Sequence, residues 1–264
     1  MAKKMTDEVA YYYYDMHPTE EDLMGETEDH STLIYYLRGV LTMLFAGQHR
    51  SRVYYNLNFY QTAYRKEHPV APDIAVIRGV KVGRVRSWRI GKTGPAPHVA
   101  IEIASQETWD KDLEEKPSKY AAMGVEEYFA YDPNEPVLLR DGHRLFGWRL
   151  DRATRSMREL PLDPQGRLWS RHLESFLVPD GGYLRLYDST GQLRLTQAEA
   201  QALQAETEKQ RADVEAEARR TAMRRANAEK RRAEAEAEAR RAEKQRADAL
   251  AEKLRSLGID PDQI

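Results

Sequence analysis

Between residues 30 and 46 the apolar positions Leu33, Ile34, Leu37, Val40, Leu41, Leu44 and Phe45 recur three and four residues apart. That spacing puts them on one face of a helix. Asp29 or Ser31 is placed to cap its start, and Gly47 to end it. Further along, the period changes to two. Val53–Phe59, Asp73–Ile77 and Val99–Ala104 read as strands. In the second of these, Ile74 and Val76 share a face and Asp73 points the other way. In the third, Val99, Ile101 and Ile103 share a face and Glu102 points the other way. Antiparallel pairing in the matching register would bring Asp73 and Glu102 onto one surface.

The rest of the body alternates in the same manner. A helix is expected over 110–123, ended by Gly124, then a strand Glu127–Tyr131 closed by Asp132-Pro133-Asn134. Residues 136–150 read as a hairpin turning at Asp141-Gly142, and 155–187 as short strands around Asp163-Pro164-Gln165-Gly166 and Asp180-Gly181-Gly182. This order predicts an α/β domain, a sheet with a crossover helix over it. Residues 78–97 read as a long loop, basic and rich in Gly and Pro, of the kind that often carries function.

From Thr196 to Leu257 the pattern is different again. Ala, Glu, Arg, Lys and Gln dominate, with no helix breaker. These are strong helix formers, and the helix would extend about 90 Å. Leu250, Leu254 and Leu257 fit a coiled-coil register, but carried backward it places Arg219 and Arg240 at core positions and Glu229, Glu236 and Glu243 facing them. That seam is poor. A solvated single helix and a weakly oligomeric one are both open, and i,i+4 ion pairs are its main local support.

Composition sharpens this division. All of the 4 Trp, 15 Tyr and 5 Phe lie before residue 196, so the body supplies the core. The expected organisation is an extension over 1–17, a core-bearing domain over 18–190, the helix over 196–257 and a short end over 258–264. The Tyr11–Tyr14 run in the extension is read as packing, not chemistry. Net charge is −2, so no global basic excess advertises nucleic acid. Local candidates for DNA contact are Arg84, Arg86, Arg89 and Lys92, beside Arg78 and Lys81. With no cysteine, disulfides, thiolate metal sites and Cys nucleophiles are excluded. No stretch approaches ~18 apolar residues and no signal peptide opens the chain, so a cytoplasmic protein with no membrane partner is expected.

The candidate chemistry lies at Pro72-Asp73, Glu102 and Lys116. Two carboxylates and an ammonium near one sheet edge can hold Mg²⁺ or Mn²⁺ and activate water against a phosphodiester. A carboxylate in an apolar strand needs a partner, and Lys116 or Arg38 would also satisfy Glu102 with no catalysis. His-x-x-x-His spacing, a Walker-type loop and Gly-x-Ser-x-Gly are all absent.

Pro72-Asp73, Ala100-Ile101-Glu102-Ile103-Ala104-Ser105, Asp110 to Lys116 and Tyr120 to Pro133 together resemble the Uma-type restriction endonucleases of the PD-(D/E)XK nuclease superfamily. The resemblance covers roughly residues 18–190. It implies a restriction-endonuclease-like fold, a mixed β-sheet flanked by helices. It implies Asp73 and Glu102 as metal ligands, joined by the backbone carbonyl of Ile103, and DNA as substrate. The superfamily's lysine two residues after the acidic one is replaced here by Ala104, and the resemblance moves that role to Lys116. Asp112, Lys116 and Tyr120 would share a helix face, and His30 and Glu28 are auxiliary positions on the first helix. Pro117 disfavours α conformation at Lys116, so the helix either starts at Pro117 or begins near Asp110 and bends. Lys111 and Lys119 are the alternatives. Dimerisation through the body or the tail is the expected assembly. Two functions follow: a metal-dependent DNA endonuclease, or a degenerate nuclease fold that only binds partners.

Overall fold

The computed structural model describes residues 28–61, 69–81, 83–105 and 109–258. The Tyr run and the extension over 1–17 lie outside them. The chain divides near Ala200 into a body and the remainder of the C-terminal helix.

Helix α1 (Glu28–Leu44) buries Leu33, Ile34, Leu37, Val40 and Leu41, the face that the spacing predicts. Asp29 and Ser31 lie inside this helix and not at its cap; Glu28 and Asp29 carry acid in the first turn, where the helix dipole favours it. Truncating a core residue such as Leu37, fully buried, would cost about 2–5 kcal/mol.

Among the described residues eleven strands follow: β1 (Arg52–Tyr54), β2 (Phe59–Tyr60), β3 (Ile74–Ile77), β4 (Trp88–Arg89), β5 (Val99–Ile103), β6 (Glu127–Tyr131), β7 (Leu145–Asp151), β8 (Ser156–Glu159), β9 (Leu168–Ser170), β10 (Ser175–Asp180) and β11 (Tyr183–Tyr187). Between β5 and β6 run α2 (Trp109–Glu114) and α3 (Lys116–Met123), and α4 is Gln197–Ser256. The main sheet has six strands in the order β1-β3-β5-β6-β7-β8. Only β5 and β6 pair parallel in it, because the α2–α3 crossover returns the chain to the same end. The fold is thus a mixed sheet flanked by helices.

Both faces of the central strands are covered. On one side Ile74, Val76, Val99, Ile101 and Ile103 pack with α1 and with Leu177, Leu184 and Leu186 of the small β9–β11 sheet. On the other, Ala75, Ile77 and Ala100 pack with Tyr120, Met123, Phe59 and Trp88. Asp73 and Glu102 belong to this second face by alternation.

Several expectations are corrected. The strand expected over 53–59 is two, β1 and β2, in different sheets; the break falls at Asn56, whose φ of 45° no strand accommodates. The hairpin expected over 136–150 is instead the antiparallel pair β7–β8, and Asp141-Gly142 sits in a 3₁₀ turn of the β6–β7 connection. The 110–123 helix is interrupted at Glu115. The 78–97 segment is not a free flap. It contains β4, whose Trp88 is fully buried and donates Nε1–H to Pro95 O at 2.9 Å. The Asp180-Gly181-Gly182 turn does join β10 to β11.

A capping box starts α4: Thr196 Oγ1 accepts from Glu199 N at 3.2 Å, and Glu199 Oε2 accepts from Thr196 N at 2.8 Å. Glu199 also pairs with Arg185 at 2.8 Å, so the first turn is tied to the body. Beyond that turn no residue of α4 is buried. Ion pairs such as Glu215–Arg219 and Glu236–Arg240, each 2.7 Å, decorate it.

Candidate active site

The β3–β5 register, Ile74 opposite Ile101 and Val76 opposite Val99, carries one step further to Asp73 and Glu102. The two residues interlock. Ile103 N donates to Asp73 Oδ2 at 2.7 Å, and Asp73 N donates to Glu102 Oε2 at 3.4 Å. Glu102 is 2% exposed and stands opposite Ala130 of β6, whose small side chain leaves room above it.

The crossover brings the third group. Lys116 Nζ lies 3.1 Å from Glu102 Oε1 and 2.7 Å from Asp112 Oδ1. Pro117 does break the helix, yet Lys119 N still donates to Glu115 O, and Glu115 N to Lys111 O, so the helical path continues through the joint. The i,i+4 geometry of Asp112 and Lys116 is therefore retained. Of the alternatives, Lys119 pairs with Glu115 at the surface, and Lys111 lies in α2.

Tyr120, one turn on, donates its hydroxyl proton to Glu102 Oε1. Its ring is fully buried and lies 4.8 Å from that of Tyr128, which in turn stacks on Trp148 at 5.0 Å. The Tyr128 hydroxyl donates to Asp112 O at 2.8 Å. This aromatic row thus holds both Tyr120 and α2 in place. From the α1 side, His30 Nε2 lies 3.2 Å from Asp73 Oδ1. Glu28 is exposed and is not brought into the cluster.

Burial raises the Glu102 pKa, Lys116 pulls it back, and Asp73 and Asp112 push it up again. The direction is upward, yet each Glu102 contact is an acceptor contact, from Tyr120, Lys116 and Asp73 N. Burial likewise raises Asp112, with Lys116 opposing. Burial works against the Lys116 charge, but Glu102 and Asp112 outweigh it and its pKa is raised. The ammonium is thus a fixed positive charge, not a base.

Three acidic side chains gather around one ammonium, and burial and their mutual repulsion push Glu102 and Asp112 towards the protonated form. Asp112 is fully buried, and beyond the ion pair with Lys116 its carboxylate accepts no hydrogen bond among the described residues. The ion pair offsets its burial only in part, since the same ammonium is shared with Glu102. The donor set, two carboxylates and a main-chain carbonyl with open positions for water, suits a hard divalent cation. Among the described residues no three Asp, Glu or His side chains converge on one ligand point.

The candidate DNA contacts are scattered. Arg84 and Arg86 are exposed on the 78–97 segment, and Lys92 sits in the turn after β4. Arg89 is 8% exposed and lies 4.6 Å above the Tyr60 ring, so it is a packing residue and not a surface contact. Arg38 does not reach Glu102; it stacks on Tyr55 at 4.5 Å. Sequence reasoning missed that stack, because its two halves lie on a helix and a strand with no spacing rule between them.

The chain resembles a crystal structure described as a putative nuclease belonging to DUF820 from Anabaena variabilis, at 17% identity and a TM-score of 0.41, over 57% of this chain and 76% of that one. No curated protein matches it. The model of the Uma2 family, described as "Putative restriction endonuclease", matches residues 5–180, well over half of the chain. The Pro-Asp, the strand Glu and the crossover Lys all fall inside that match, and the chain belongs to the Uma2 family.

Proposed function

We propose that this protein is a divalent-cation-dependent endodeoxyribonuclease that hydrolyses DNA phosphodiester bonds. The observation that carries the reading is Lys116 lodged between Glu102 and Asp112, 3.1 and 2.7 Å away, beside Asp73. Asp73, Glu102 and the Ile103 carbonyl would hold Mg²⁺ or Mn²⁺. When bound, such a cation lowers the pKa of the attacking water and neutralises charge on the phosphate.

The chain's own groups do the rest. Lys116 keeps its proton and presents a positive charge where negative charge develops on the phosphate oxygens. Asp112 orients that ammonium across one helical turn. Tyr120 holds Glu102 Oε1 by its hydroxyl and keeps the carboxylate in one rotamer. His30 contacts Asp73 Oδ1 and limits its swing.

The competing reading, a nuclease fold that only binds partners, shares the Lys116–Glu102 pair. The surplus of acidic groups favours the first: Asp73, Glu102 and Asp112 gather around a single ammonium, and Asp112 Oδ2 has no partner among the described residues. The test is cleavage of supercoiled and single-stranded DNA in Mg²⁺ and in Mn²⁺, beside Asp73→Ala, Glu102→Ala and Lys116→Ala. Cleavage abolished in all three folded variants is expected. A Mn²⁺-induced rise in melting temperature in the wild type, absent in Asp73→Ala, is the matching binding result. No cleavage and no Mn²⁺ shift would overturn the proposal.

A further inference from the structure

One patch outside the carboxylate cluster carries chemistry of its own. Tyr35 is 59% exposed and Tyr55 38%. Their ring centroids are 6.0 Å apart, and the Arg38 guanidinium lies 4.5 Å above the Tyr55 ring. Among the described residues no carboxylate pairs with Arg38. Single exposed aromatics are ordinary surface. Two neighbouring rings with an uncompensated guanidinium plane stacked on one of them are not.

The patch also has a place. In the β1–β3 pair Tyr54 stands opposite Ala75, and Asn56 N donates to Pro72 O at 3.2 Å. Tyr55 is therefore one step on, opposite Ile74 on the α1 face and next in register to Asp73. Tyr35 shares α1 with His30, the residue that touches Asp73. Five residues of helix separate those two, about 7.5 Å of axial rise. That is roughly two steps of a nucleic-acid strand at ~3.4 Å each.

We propose that Tyr35, Tyr55 and Arg38 form a stacking platform for an unpaired base, so that the preferred substrate is DNA with unpaired bases, single-stranded or locally opened. The inference rests on the nuclease reading of the neighbouring carboxylates. Every base presents a π face, and an aromatic ring or a guanidinium plane binds that face whatever the sequence. In an intact duplex the faces are buried in the stack, and the platform has nothing to hold. Arg38 adds a positive charge beside the rings, in a chain whose net charge is −2.

The test is fluorescence anisotropy of a labelled 20-mer, single-stranded and as duplex, with the full chain and no divalent cation. Binding is then read independently of cleavage. Tighter binding of the single strand is expected. Tyr55→Ala and Tyr35→Ala should each weaken it about five- to a hundredfold, with duplex affinity unchanged and Tyr55→Phe close to wild type. Circular dichroism confirms that the variants fold. Equal losses for both DNA forms, or none, would overturn the platform, as would a Tyr55→Ala change in oligomeric mass without any change in DNA binding. Cleavage of DNA with no single-strand preference would remove the platform and keep the nuclease. Platform-dependent binding with no cleavage in Mg²⁺ or Mn²⁺ would do the reverse.

Discussion

Lys116 Nζ meets Glu102 Oε1 at 3.1 Å across the gap between the crossover helices and the central strand. The superfamily places its lysine on the strand that bears the acid, and here that position holds Ala104, which is buried. On the proposed reading that charge comes from another element: the helical path continues through Lys116 in spite of Pro117 and brings its ammonium to Glu102.

Removing that charge should be costly to the fold as well as to activity. Lys116→Met leaves Glu102 and Asp112 buried without their cation. Breaking a buried pair in this way costs about 3–5 kcal/mol. In a Glu102→Gln background the same change should cost at least ~0.5 kcal/mol less, because the two groups are coupled. Urea midpoints of the four proteins measure this. Additive losses would show that the 3.1 Å contact carries no energy.

Tyr120→Phe tests the positioning of Glu102 alone. The ring and its packing on Tyr128 remain, and only the hydroxyl donor is lost. A hydrogen bond to a charged group contributes about 1.5–3 kcal/mol. A stability loss in that range is expected, together with slower cleavage. Full activity and unchanged stability would show that Lys116 alone holds the carboxylate.

Gly147 probes the side of the sheet away from the site. A Cβ there would stand 2.7 Å from Leu168 Cδ1 and 2.8 Å from Phe129 Cδ1. Phe129 is central in β6 and cannot give way cheaply. Gly147→Ala should therefore destabilise by about 1–3 kcal/mol, the usual cost of overpacking. Thermal melting reads it, and a neutral result would mean that β9 moves aside.

Much of the site could be read from residue order. The period-2 alternation placed Asp73 and Glu102 opposite their apolar neighbours, and the register met that expectation because both strands are apolar on the other face. The i,i+4 spacing found Asp112, Lys116 and Tyr120 together. The spacing could not show that Asp112 is fully buried, since its burial depends on Tyr128 closing over α2 from a distant strand.

The errors were of two physical kinds. Local backbone geometry defeated the 53–59 strand, where Asn56 takes a positive φ that alternation cannot register. Long-range packing defeated the view of 78–97 as a free loop. Its Gly and Pro content is real, but Trp88 anchors it in the core, and Gly94 lies so close beneath that ring that a Cβ would overlap it. Arg89 was drawn inward by the same anchor. For the tail, every residue of α4 beyond Ala200 is exposed except the half-buried Ala251 and Leu254.

His98 makes a prediction about pH. Burial lowers its pKa below the ordinary value, and His172 beside it adds to the shift. Arg78 and Arg152 oppose its protonation as well, while Glu126 favours it. The ring centroids of His98 and His172 are 5.1 Å apart, and His98 Nδ1 accepts from Arg78 N at 3.2 Å, which only a neutral ring can do there. Since the folded pKa lies below the unfolded one, the unfolded state binds more protons as pH falls past ~6.5. The contribution of neutral His98 is complete above that pH and is lost progressively below it. Stability should therefore decline between pH 7.5 and 5.5, and His98→Gln should flatten that slope at some cost at pH 7.5. Urea unfolding at the two pH values decides it. An equal slope in the variant would assign the acid sensitivity to other groups.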